Sequence, residues 1–380
     1  MNILYLNNGL AGGGIEKLLN DLLPIISEQN HCELLILSDK NEKYIDSLRN
    51  NGIRITVVPA IANNIIKKYK FIKKYILNSN YDVIHANGFP MIYYIAIIKK
   101  FLRKKCPPVV ITEHNTDNRR RHHRIFRPIE RFIYGSFAKV ISISPPTQTA
   151  LINWLKITGS RTEDFSVIYN GIPVEQFRRA EPVERSRLIP GIKANDFILC
   201  MVGTFTEKKN HKIMIPVMKK LPDNYILLCL GEGPLKEDIQ KEVYSNGLTD
   251  RFVFLGFRKD VASVIKASNA VVIPSIWEGF GLIAVEAMAC CIPVIAANVP
   301  GLSDIVGNAG ILVNPNDSND IVKAIIEISK ENHEESYVKK GNERACEFDI
   351  LKMAKQYICI YTELCQNSFE RTNKCIKKLH

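Results

Sequence analysis

Residues 270–288 read Ala270-Val271-Val272-Ile273-Pro274-Ser275-Ile276-Trp277-Glu278-Gly279-Phe280-Gly281-Leu282-Ile283-Ala284-Val285-Glu286-Ala287-Met288. The short apolar run Ala270–Pro274 has the length and β-branched content of a buried strand. It ends in a loop that carries Glu278, and Gly279 and Gly281 then let the backbone approach a ligand closely before a helix begins. A helix start offers unpaired N–H groups and a positive dipole end to an anion. Glu286 falls about one turn into that helix, so its carboxylate can face the same pocket as Glu278. Carboxylates accept well from vicinal hydroxyls such as those of a ribose or a hexose. This stretch therefore reads as a strand–loop–helix unit of a parallel α/β sheet, with hydroxyl and anion binding at the strand's carboxyl end.

The same alternation runs outward in both directions. In the first half, strand candidates are Ile3–Leu6, Glu33–Leu37, Ile55–Val58, Val83–His85, Val109–His114 and Val140–Ile143, with helical patterns such as Ile15–Ser27 and Ile92–Lys105 between them. The rhythm restarts with Ile198–Val202, Tyr225–Leu230, Phe252–Leu255, Ala270–Pro274, Pro293–Ala296 and Ile311–Val313. Asn170-Gly171-Ile172-Pro173 and the charged stretch Arg178–Arg187 look like a hinge and linker. After Asp320 the pattern is helical, with 369–380 expected as a frayed basic tail. A length of 380 residues suits two domains. Open parallel sheets bind ligands beyond the carboxyl ends of their strands, so two facing sheets would share one cleft.

Composition narrows the function classes. Apolar runs such as Met91–Ile98 are far shorter than the roughly 20 residues of a membrane-spanning helix. Met1–Leu6 reads as a strand, not a signal peptide, and the ten cysteines are scattered, with no CxxC pair or metal spacing. They are expected as reduced cytosolic thiols. The net charge of +12 is concentrated: up to Glu175 there are 24 Lys and Arg against 14 Asp and Glu. Basic residues interleave with Phe, Ile, Leu and Tyr in 67–74 and 99–105, and 119–124 is a further basic cluster. This suits a surface resting on anionic lipid or an anionic acceptor, and a solvated basic face without a partner gives the same pattern. Nucleic acid is not an expected partner, because no recognised binding motif accompanies the charge.

Other strand ends carry further signals. Val202-Gly203-Thr204-Phe205-Thr206-Glu207-Lys208-Lys209-Asn210-His211 follows the first strand of the second half. Ala11-Gly12-Gly13-Gly14-Ile15-Glu16-Lys17 follows the first strand of the chain, where glycines permit a tight turn near a phosphate. Its spacing is not that of a dinucleotide-binding G-x-G-x-x-G. Asp82–Asn87 and Ile111–Asp117 place His85, Asn87, His114 and Asp117 at strand ends.

Together these motifs resemble the retaining glycosyltransferases of family four, of the bacterial surface-polysaccharide type, over essentially the whole chain. The resemblance implies the GT-B architecture, an α/β fold of two Rossmann-like domains facing across a cleft. Residues 1–172, with a returning C-terminal helix over 355–380, would bind the acceptor, and 173–354 the donor. It implies that Glu278 contacts the donor sugar's hydroxyls, that Glu286 holds the ribose, and that Gly279, Phe280, Gly281 and Leu282 line sugar and phosphate. Lys209 keeps the family's lysine position and would neutralise the departing diphosphate. Thr204 stands where an arginine is usual, so one phosphate contact is missing or supplied from elsewhere. Gly13, Gly14, Gly203, Gly233 and Phe257 match further donor-binding elements, the last near the nucleotide base. His114 would lie near the reacting sugar, with His85, Asn87 and Asp117 as sugar or acceptor candidates.

Many glycosyltransferases hold a divalent metal with Asp-x-Asp, but no two aspartates here are two positions apart. A reaction without metal or cofactor is expected, its charge met by Lys209, helix N-termini and glycine-loop amides. The substrates implied are a UDP-sugar and a glycan or lipid-linked acceptor, with transfer from the leaving group's side and retention of configuration. By the same analogy the enzyme works in the cytoplasm, at the inner face of the cytoplasmic membrane. A UDP-sugar epimerase of the same architecture is the alternative.

Overall fold

The computed structural model describes residues 1–11, 13–39, 42–62, 64–116, 119–330 and 333–376. It divides into two units, Met1–Gly171 with Ile350–His380, and Ile172–Asp349. The boundaries fall at 171/172 and 349/350, against the expected 172/173 and 354/355.

The first unit holds a seven-stranded parallel sheet: β1 Asn2–Asn7, β2 His31–Ile36, β3 Arg54–Val57, β4 Val83–Asn87, β5 Val109–Glu113, β6 Lys139–Ser142 and β7 Phe165–Val167, in spatial order 3-2-1-4-5-6-7. Because helices cover both faces, the strands are mostly apolar and do not alternate; Ile3, Leu4, Tyr5 and Leu6 are all buried, and the polar exceptions such as His85 and Thr112 lie near strand ends. One face packs Leu4, Leu6, Ile84, Ile95 and Ile98, and the other packs Ile3, Tyr5, Leu22 and Leu23. The last helix, Ile350–Ile376, belongs to this unit and buries Met353, Ala354, Tyr357 and Tyr361 in the second of these cores. It runs as far as Ile376 without fraying at 369, and 377–380 lie outside the described residues.

The second unit holds six parallel strands: β8 Phe197–Val202, β9 Tyr225–Leu230, β10 Phe252–Gly256, β11 Ala270–Ile273, β12 Val294–Ala297 and β13 Ile311–Val313, in order 10-9-8-11-12-13. The segment expected as a linker is instead folded into this unit. Val174–Arg179 and Arg185–Leu188 are helical; Arg178 donates to Asn342, and Arg185 donates to the Ala267 carbonyl at 2.9 Å. Arg178 and Arg185 are therefore anchors, while Arg179 and Arg187 remain in solvent.

In each sheet the strand order reverses once, between β1 and β4 and between β8 and β11. The loops leaving two such adjacent strands diverge to opposite faces and leave a crevice at their carboxyl ends. In the second unit those loops are the ones that carry Lys208, Lys209 and Glu278.

Candidate active site

In the second unit, β8 ends at Val202 and the chain enters a turn in which Asn210 adopts a left-handed backbone, φ 56°. The Asn210 side chain donates to the carbonyls of Pro274 (3.1 Å) and Pro315 (2.8 Å), tying the turn to the loops after β11 and β13. The Ile276 amide donates to the Lys208 carbonyl at 2.9 Å. These bonds bring the two lysines to Glu278. Lys209 Nζ lies 2.7 Å from Oε2 and Lys208 Nζ 3.1 Å from Oε1. The carboxylate is 10% exposed, the Lys208 side chain 34% and the Lys209 side chain 21%. Burial would raise the Glu278 carboxyl, but Lys209 and then Lys208 outweigh it and hold the group below the ordinary carboxylate range. It is ionised at neutral pH, inside a triad of net charge +1.

Glycine decides how tightly the loops around the triad close. A Cβ on Gly231 (φ 134°) would sit 2.1 Å from the Gly203 carbonyl oxygen, and one on Gly233 would sit 2.6 Å from the Phe205 amide nitrogen. The loops after β8 and β9 thus touch backbone to backbone, joined by Phe205 N–H to the Glu232 carbonyl (3.1 Å). Gly281 (φ 91°) precedes the helix Leu282–Ala289 in a left-handed conformation, and Gly301 (φ 88°) would carry a Cβ 2.6 Å from the Glu278 carbonyl oxygen. Glu286 is buried in that helix, at 1% exposure. Phe280 differs from expectation: its ring is buried edge-on against Phe348, centroids 5.5 Å apart, so only its backbone can line a ligand. Phe257 is partly exposed just beyond β10, and Thr204 is exposed just beyond β8.

In the first unit, β4 and β5 end beside a recess of about 80 Å³ lined by Gly88, Phe89, Thr112, Glu113, His114 and Arg120, among others. His114 Nε2 is 3.1 Å from Asn87 Oδ1, and burial lowers its pKa to about 4, so the ring is neutral. His85 proves to be internal. Nδ1 meets the Tyr361 hydroxyl at 2.5 Å and Nε2 meets Thr112 at 2.8 Å, in a buried network that continues to Tyr5 and Tyr357. Both ring nitrogens are engaged, so His85 fastens the last helix to the sheet and has none left for a substrate. Gly13 precedes the helix Gly14–Ser27, whose early Glu16 folds back over it; Gly12 and Asp117 lie outside the described residues.

Residues 12–176 match the family model described as Glycosyltransferase Family 4, and residues 183–344 match Glycosyl transferases group 1. An uncharacterized glycosyltransferase of Methanocaldococcus jannaschii, MJ1178, is 30% identical over 79% of this chain and 80% of its own. The chain belongs to glycosyltransferase family four. A further relative of this glycosyltransferase is the UDP-Gal:alpha-D-GlcNAc-diphosphoundecaprenol alpha-1,3-galactosyltransferase of Escherichia coli, 26% identical over 74% of this chain and 76% of that protein. Among solved structures, Anabaena HepE in complex with UDP and glucose matches with a TM-score of 0.82 at 22% identity, over 96% of this chain and 100% of that one. Both halves of the glycosyltransferase are Rossmann-like, as in other GT-B enzymes.

Several residues of the two candidate sites escape sequence reading. Lys208 and Asn210 look like loop polarity, and Gly301 like an ordinary turn, until the turn geometry brings them to Glu278. Arg120 is another: its guanidinium stacks 4.5 Å from the Phe89 ring and donates at 2.7 Å to Glu130, a fully buried carboxylate that also accepts from Trp154. Its position in a basic run gives no hint of partners at Phe89, well before it, and Glu130, after it.

Proposed function

We propose that the second unit binds a UDP-sugar and that the enzyme transfers its hexose or N-acetylhexosamine, with retention, to a glycan or lipid-linked acceptor in surface-polysaccharide construction. The observation that carries this reading is the Lys208–Glu278–Lys209 triad at the reversal of the second sheet. Its carboxylate suits hydroxyl donors and its ammonium groups suit phosphate oxygens, so the complementary ligand joins a polyol to an anion. UDP in complexes of HepE and the UDP-galactose donor of the E. coli relative support uridine as the base. That relative's diphosphoundecaprenol-linked acceptor supports a lipid-linked one here.

In this reading Glu278 takes sugar hydroxyls, Glu286 the ribose, and Phe257 lies by the base. Lys209 balances charge on the departing diphosphate, with helix and loop amides completing the neutralisation in place of a metal. On the first unit, neutral His114 offers a carbohydrate hydroxyl a hydrogen bond without adding charge. That unit also exposes Phe101 (71%) and Phe132 (55%) among lysines, with Lys100 Nζ 4.6 Å over the Phe132 ring. Such a face suits anionic lipid at the inner surface of the cytoplasmic membrane. Among the described residues no helix is long and apolar enough to cross a membrane.

A thermal-shift screen of nucleoside diphosphate sugars tests the donor, because a ligand of the native state raises the melting temperature. A UDP-sugar should shift it, and NMR of the product formed with a lipid-linked acceptor should show the donor's anomeric configuration. Inversion, or product formed without acceptor, would overturn the mechanism.

A further inference from the structure

Resting on the donor reading above, we infer that Lys208 is a second diphosphate-binding cation, the residue that turns a neutral ion pair into an anion site. Lys209 alone would cancel the charge of Glu278. Lys208 approaches the other carboxylate oxygen, 3.1 Å away, and leaves the cluster one positive charge in excess. Among the described residues neither ammonium meets a second acidic group. An ammonium has three donors, so each lysine keeps capacity for phosphate oxygens beyond its bond to Glu278.

The position of Lys208 is set by its backbone. Its carbonyl accepts from the Ile276 amide, two residues from Glu278, and the following turn is pinned by Asn210 to the Pro274 and Pro315 carbonyls. The ammonium group can therefore swing by its own torsions while its Cα stays beside the loop. Lys209, by contrast, lies along Gly203, where an added Cβ would sit 3.3 Å from its Cγ and Cδ. Thr204, exposed at the same strand end, brings no charge. When sugar hydroxyls take over the Glu278 oxygens, both lysines are released toward the adjoining diphosphate. The unliganded triad thus stores the two cations at the place where a diphosphate next to a sugar requires them.

Calorimetry with UDP on the full-length chain and its variants tests this. Lys208→Met should weaken UDP binding about ten- to a hundredfold, the worth of a charge-assisted bond. Lys208→Arg should stay within a few-fold of the parent. Thr204→Arg, added to Lys208→Met, should restore most of the lost affinity by returning a cation to the same strand end. Lys208→Gln replaces the methionine variant where that fails to fold. Unchanged UDP affinity in Lys208→Met, or an equal loss in Lys208→Arg, would overturn the inference while leaving the donor reading intact. A parent protein that binds no nucleoside diphosphate overturns both.

Discussion

Replacing Glu278 by glutamine keeps the side chain's size and removes the one negative charge of the triad. The two lysines are then left facing each other across a neutral amide. Losing one partner of a buried ion pair costs about 3–5 kcal/mol. Here the lysines are a third and a fifth exposed and can turn into water, so about 1–2 kcal/mol is expected. For a unit of this size that is a melting-temperature loss of about 2–8 °C. Ligand affinities should move apart. UDP no longer competes with a carboxylate for the lysines, so its Kd stays constant or falls. A UDP-sugar loses hydroxyl bonds to an ionised acceptor, about 1.5–3 kcal/mol, and its Kd rises about ten- to a hundredfold. Titration calorimetry of Glu278→Gln with UDP and with the UDP-sugar, side by side, reads both. If the two affinities drop by the same factor, Glu278 is holding the loop in shape and has no hold on the sugar, and the reasoning fails.

Glu286→Ala should abolish measurable UDP binding, and unchanged calorimetric affinity would remove its ribose role. Activity should survive EDTA; complete loss restored by Mg or Mn would show that a metal, not Lys209 and the loop amides, meets the diphosphate charge. Buried His211 stacks on Phe205 at 4.0 Å, and neither ring nitrogen has a hydrogen-bond partner among the described residues. Burial, with Lys209 adding to it, lowers its pKa to about 3, so below its ordinary value near 6.5 the unfolded chain binds a proton that the fold refuses. Its stabilising contribution is whole above that value and is lost toward pH 3 at up to ~1.4 kcal/mol per pH unit. Urea denaturation of His211→Phe should accordingly show a flatter decline between pH 6 and 4, and an unchanged slope would refute the assignment. Paired Phe101→Ser and Phe132→Ser changes should reduce co-sedimentation with vesicles containing anionic lipid while UDP affinity is retained; undiminished sedimentation would move the contact elsewhere.

The architecture was legible because a parallel sheet covered on both faces leaves uninterrupted apolar runs, and twelve of these were expected where strands are found. The thirteenth, Phe165–Val167, is three residues at the sheet edge with a serine in the middle, too short for any pattern. The charged segment 178–187 misled for a related reason. Composition records that arginines are present, but a guanidinium bonded to a buried carbonyl has the same letter as one in water.

The geometry of the candidate site was legible to the extent that backbone chemistry fixes it. Gly281 and Gly231 occupy conformations or contacts closed to other residues, so their letters carry geometry. Side-chain partners carry no such mark. His85 and His114 both stand at strand ends, yet His85 faces Tyr5 in register and the last helix closes over it, while His114 lies one residue beyond β5 and meets Asn87. The difference is made by a helix some 270 residues downstream, through Tyr361. Lys208 shows the converse. A paired lysine in a loop is ordinarily solvated, and only the left-handed turn at Asn210, anchored to two distant carbonyls, fixes its backbone beside the Glu278 loop. What the residues next to a motif do in this chain is thus decided by which loops the turn joins, and the same Lys-Lys pair on an unanchored loop would carry no claim on a diphosphate.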